Sequence, residues 1–167
     1  MTTATIEKTQ VPAGLDGRVL ARILEEGWGP GAWHGADLAA ALSDVSPELA
    51  FWRPAPGRHN LAEIALHHAW CARSVRAQLS GEAPAPFVLP GDDWFPLAAE
   101  GRMSWPEIHA AAAAEIEGLG RFVAELAAGR ARSPLAEAER FDLVLGITCH
   151  AVYHAGQVQL LKRLQAG

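Results

Sequence analysis

Trp105, Ile108, Ala112, Ile116, Leu119, Val123 and Leu126 follow one another at intervals of 3, 4, 4, 3, 4 and 3 residues. Residues so spaced share one face of an α-helix, so this segment is an amphipathic helix with one side committed to a core. Ser104 is a candidate N-cap, and Glu107 three residues later completes a capping box. Other segments read the same way. Val19, Ile23 and Leu24 make the apolar side of a short first helix, which Gly27, Gly29, Pro30 and Gly31 break, and a second short helix is expected from Asp37 to Leu42. Beyond the rigid connector Arg53-Pro-Ala-Pro-Gly57, His59 or Asn60 starts a long helix that runs to Leu79 and stops at Ser80 and Gly81. A last helix is expected from Phe141 to Gln165. No strand pattern, repeat or low-complexity tract competes, and Ala110 to Ala114 is a plain alanine run of high helix propensity. The chain is therefore all-α: a helical bundle whose first helix is broken.

Its 167 residues suit one domain spanning 1–167, with 1–13 as a flexible N-terminal segment. No run of 18 apolar residues is free of charge or punctuation, so no membrane span is expected. The N-terminus lacks the basic start and apolar block of a secretory signal, and two cysteines, Cys71 and Cys149, make no disulfide framework; a cytoplasmic protein with reduced thiols is expected. The formal charge of -5 and scattered basic residues exclude a phosphate-binding surface, and with it nucleic acid. Between the second and third long segments, residues 82 to 103 carry Pro84, Pro86, Pro90 and Pro96 together with Phe87, Trp94 and Phe95. A loop this long in a small domain is often functional.

His150 and His154 stand four residues apart in the last helix, stacked on one face, and Leu143, Ile147, Leu161 and Leu164 are expected on the same stripe. Two imidazoles pointing into a core need partners, and a metal ion satisfies both. A mononuclear site that does chemistry commonly has three protein ligands and an open position. The second long helix offers His67 and His68. Its apolar stripe of Leu61, Ile64, Ala72, Val75 and Leu79 is centred on His68, whereas His67 shares a polar flank with His59, Glu63 and Cys71, each four residues from the next. Periodicity leaves the choice open.

The stretch His59-Asn-Leu-Ala-Glu-Ile-Ala-Leu-His67, followed by Ala69, Trp70 and Val75 to Leu79, taken with Gly146-Ile-Thr-Cys-His150-Ala-Val-Tyr-His154-Ala-Gly-Gln157, resembles the DinB-like (YfiT-like) superfamily of three-histidine metal-binding four-helix bundles. Ala32-Trp-His-Gly35 and the loop around Asp92-Asp-Trp-Phe are similar to one branch of it, so the resemblance covers the chain from about residue 15 to the end. It implies an up-down four-helix bundle with a long crossover loop, and a divalent ion, usually nickel or zinc, on one histidine of the second helix and two of the last. Carried over by position, these are His67, His150 and His154. His68 falls where the family usually has an apolar core residue, a departure from the pattern.

Around that trio, Glu63 is a candidate hydrogen-bond partner of His67 or a catalytic base, and Gln157 a buried hydrogen-bonding group or a catalytic one. Cys71, one turn from His67, is a small buried hydrophobe or a fourth, thiolate ligand that would close the shell. His59 caps its helix or borders the pocket, Trp94 lines a cleft or pins the loop, and Tyr153 packs or donates to a bound water. His34 and His109 are expected at the surface or in packing, and Cys149 in core or interface packing. Three neutral imidazoles leave a 2+ ion with positive charge, which favours a thiolate or a hydroxide. Resemblance to members that use low-molecular-weight thiols implies a thiol S-transferase acting on a small molecule. The alternatives are a metal-dependent hydrolase of small amides or esters, and a metal-binding or stress-related structural bundle without turnover. A homodimer is expected from apolar surface left beside the short first helix.

Overall fold

Helices end where side chains replace the backbone partners that the last turns lack. The structure is a computed structural model describing residues 17–99 and 101–167, so the expected segment 1–13 lies outside the described residues. Among these residues there are six helices and no strand: α1 (Gly17–Gly27), α2 (Leu38–Leu42), α3 (Pro47–Phe51), α4 (Leu61–Ser80), α5 (Trp105–Ala127) and α6 (Glu137–Ala166). Asn60, not His59, caps α4 by accepting from the Glu63 amide at 2.8 Å, and Gly81 ends it in the left-handed conformation at φ 74°. At α5 the Glu107 carboxylate accepts from the Ser104 amide at 2.8 Å and hydroxyl at 2.7 Å.

Two features were not expected. The single turn α3 is capped by Ser46, with Pro47 in its first position, and carries Ala50 into the core. Helix α6 begins a turn before Phe141, because Glu139 reaches back to the Ala136 amide at 2.8 Å and caps the helix without a polar N-cap residue.

Two cores run through the molecule, and they order the helices. Leu61, Ala65, Ile108, Ala112, Ala155 and Val158 share one, while Ala72, Leu79, Ile116, Val123, Val144 and Ile147 share the other. The early halves of α4 and α5 thus lie together and α6 runs against both. Arg76 and Glu115, 2.9 Å apart, tie α4 to α5 in that register. Neighbouring helices that run the same way need a long return, which residues 82–104 provide. Helix α1 packs against α5 and α6. It is held so close that a Cβ added at Gly27 would stand 2.9 Å from the Cβ of Ala151.

Helix α4 is buried on every side from Leu61 to Ala69. That is why its hydrophobic periodicity could not choose between His67 and His68: both are buried. On α6 the buried stripe is Val144, Ile147, Ala151, His154, Val158 and Leu161; Leu143 is half-buried and, contrary to expectation, Leu164 is exposed, bordering an open groove. No helix of the described residues is long and apolar enough to cross a membrane.

Candidate metal centre

Helices α4 and α6 bring four histidines together where the early half of α4 crosses the middle of α6. The Nε2 atom of His150 lies 3.1 Å from Nε2 of His67 and 2.9 Å from Nε2 of His154. These three residues offer ligand atoms that all lie within 4.8 Å of one another. Two nitrogens on one ion, each about 2.0–2.1 Å from it, stand about 2.9–3.4 Å apart. The trio therefore suits a single transition-metal ion in both donor type and spacing. His68 is on the other edge of His150: its Nδ1 lies 3.0 Å from Nδ1 of His150, and it takes no part in the convergence.

The outer nitrogens of His67 and His154 are held by oxygen acceptors. His67 Nδ1 faces both the backbone oxygen and the carboxylate of Asp93, at 2.9 and 3.0 Å. Asp93 adopts φ 61°, a left-handed conformation that aspartate tolerates, and this turn presents both of its oxygens to one ring. His154 Nδ1 lies 2.6 Å from Oε1 of Gln157, whose amide nitrogen donates to Tyr153 Oη at 3.1 Å. An oxygen that only accepts keeps the ring proton on Nδ1, so Nε2 of His67 and of His154 carries a bare lone pair. Burial lowers the pKa of His154 to about 4, with the nearby His150 adding to the effect. His150 and, more strongly, His68 are lowered for the same first reason. Burial thus favours the neutral, ligating form of His150 and His154.

Trp94 lies flat on His67, with ring centroids 3.9 Å apart, and flat on His59 at 3.6 Å. The crossover loop that carries it is anchored by Glu63. That carboxylate is buried and accepts from the Leu97 amide at 2.9 Å, from Arg53 Nη1 at 3.0 Å and from His59 Nδ1 at 3.0 Å. The Leu97 carbonyl accepts from Arg53 and from Asn60, each at 3.0 Å. Burial pushes the Glu63 carboxyl up, but the hydrogen bonds outweigh it and hold the group below the usual glutamate range. Glu63 therefore has no bond to His67; Asp93 holds that place. Asp93 stood in the quoted loop motif without a role, because nothing in the sequence sets where a loop touches a helix. Arg53, in the connector, carried no signal of its own.

Cys71 Sγ is 3.9 Å from His67 Nε2, and His67, Cys71 and Asp93 form a second trio of ligand atoms within 4.8 Å. Burial, then the charge of Asp93, raises the Cys71 thiol to about 11, so it is protonated at neutral pH. Cys149 and His34 are exposed, and His109 is half-buried against Trp105. Tyr153 is mostly exposed and Gln157 half-buried, not buried as expected, since they border an open groove of about 540 Å³. That groove runs from His154 and Trp94 along Ile64, Leu160, Leu161 and Leu164, with Arg58 at its edge.

Comparison with known proteins agrees with this arrangement. No curated protein and no solved structure matches the chain. The family model of the DinB superfamily matches residues 32–158, a span that takes in the crossover loop and all four clustered histidines. This all-α chain belongs to the DinB superfamily.

Proposed function

We propose that this protein is a metal-dependent S-transferase, with His67, His150 and His154 holding one divalent ion, nickel or zinc, and a low-molecular-weight thiol as co-substrate. The observation that carries the reading is the convergence of three Nε2 atoms beside an open apolar groove. A bound ion there would supply the positive charge that keeps a thiol in its thiolate form. The protein does the rest. Asp93 and Gln157 hold the two outer rings with their lone pairs inward. Trp94 covers one face of His67 and keeps water from it. The groove, whose apolar wall leads to the edge of His154, takes the electrophilic small molecule. Its carbon gains the sulfur, and its leaving group departs with the bonding pair. For the hydrolase alternative Glu63 is no free base, because it is spent on Arg53, His59 and Leu97. We also read residues 1–167 as one domain, a four-helix bundle of α1, α4, α5 and α6 in which the long crossover lets α5 run parallel to α4; the two shared cores support this.

The test is metal analysis of untagged protein, followed by cobalt(II) substitution and addition of a small thiol. About one equivalent of metal, lost in His67→Ala and His150→Ala, together with a sulfur-to-cobalt charge-transfer band on thiol addition, is the expected result. Metal without a thiol-dependent band would overturn the S-transferase reading and leave a hydrolase or a structural metal-binding bundle.

A further inference from the structure

We propose that His68 is the positioning residue of the centre: its Nδ1 sets the tautomer of His150, and so decides whether the third Nε2 lone pair is available. The inference rests on the three-histidine reading above. A neutral imidazole has one N–H and one lone pair. For His67 and His154 the proton is placed by oxygens, on Nδ1. His150 has no such oxygen. Its Nε2 faces the two bare Nε2 atoms, and its Nδ1 faces Nδ1 of His68. Two arrangements keep one proton between the two Nδ1 atoms.

In the first, His68 donates from Nδ1 to Nδ1 of His150, and the Nε2–H of His150 points at the lone pairs of His67 and His154. No metal is needed, and the trio is closed. In the second, His150 donates from Nδ1 to His68, whose own proton is on Nε2, and three lone pairs converge. That state demands a cation. Each ring keeps one proton in both, so loading exchanges tautomers in the His68 and His150 pair without changing its proton count. With an apolar residue at position 68, Nδ1 of His150 would face no partner in either state. His68 is 2% exposed, so the side of His150 that it covers is closed to solvent, although His150 itself is half-buried. An outer partner of a ligating histidine typically governs about 10–100-fold in metal affinity.

The experiment compares the parent with His68→Leu, His68→Asn and His67→Ala, with zinc alone as the probe. It uses chelator competition and ¹⁵N spectra of the imidazoles, with circular dichroism confirming that each variant is helical. The parent is expected to bind one zinc, with His68 passing from the Nδ1–H to the Nε2–H form on loading. His68→Leu should bind about 10–100-fold more weakly, and His68→Asn, whose Oδ1 can occupy the place of Nδ1, should recover most of the loss. Unchanged affinity in His68→Leu, or His68 resonances indifferent to zinc, would overturn the proposal. If the parent binds no zinc, the three-histidine reading fails by itself. The metal-free spectra then decide the role of His68: in the parent His68 should carry its proton on Nδ1 and His150 on Nε2, and a His68 with its proton on Nε2 sinks it.

Discussion

Replacing Glu63 by alanine should loosen the crossover loop from the bundle, and the cost follows from the partners it would leave. The Glu63 side chain is 3% exposed and the Arg53 side chain 35%. Removing one partner of a fully buried ion pair costs about 3–5 kcal/mol. Arg53 is not fully buried and keeps the carbonyls of Arg58 and Leu97 as acceptors, so its share falls toward the ~1 kcal/mol of a surface pair. The Leu97 amide has no such relief; stranded in a buried segment, it costs about 1–3 kcal/mol. The sum is about 3 kcal/mol. In a chain of this size that corresponds to a fall of about 6–12 °C in Tm. Urea unfolding gives the free energy, and amide hydrogen exchange gives its location, because protection should vanish at Leu97 and fall at Asp93 and Trp94 while the middle of α4 keeps its own. A loss under about 1 kcal/mol, with Leu97 still protected, would refute the claim that Glu63 anchors the loop.

Acid should destabilise the metal-free protein from pH 6.5 downward. His154 is lowered to about 4 in the folded state, so the unfolded chain takes up the proton first; stability is full above pH 6.5 and is lost as pH falls toward 4, by about 3 kcal/mol from this residue. Urea midpoints that stay flat from pH 7 to 4.5 would contradict it. Gly27→Val should cost about 1–3 kcal/mol by forcing α1 away from Ala151 and Thr148, and a thermal melt equal to the parent's would show that α1 yields freely. Thiol titration with a disulfide reagent at pH 8 should show one fast thiol and one slow. Cys149 is exposed, while Cys71, raised to about 11, is thiolate at only about one part in a thousand; Cys149→Ser should therefore remove the fast phase.

The helices of this protein are written into its sequence because their determinants are local. The 3,4,4,3,4,3 spacing of α5, the capping pair Ser104 and Glu107, the Asn60 cap and the Gly81 stop each act within a turn or two of chain, and each appears where the residues say. Local signals were silent only where the cap was unusual, as at Ala136, or where one turn stood alone, as at Ser46. The pairing of His150 with His154 is equally local, since four residues on a helix put two rings on one face. What tertiary structure decided is everything that depends on a second element. A helix buried all round has no outward face, so hydrophobic pattern cannot rank His67 against His68; the crossing of α4 and α6 put one at the convergence and the other behind His150. The contact of Asp93 with His67, and the ties of Glu63 to Arg53 and Leu97, join residues 26, 10 and 34 positions apart. No periodicity reports such distances, because where a loop lands is set by the packing of the bundle beneath it and not by the residues of the loop.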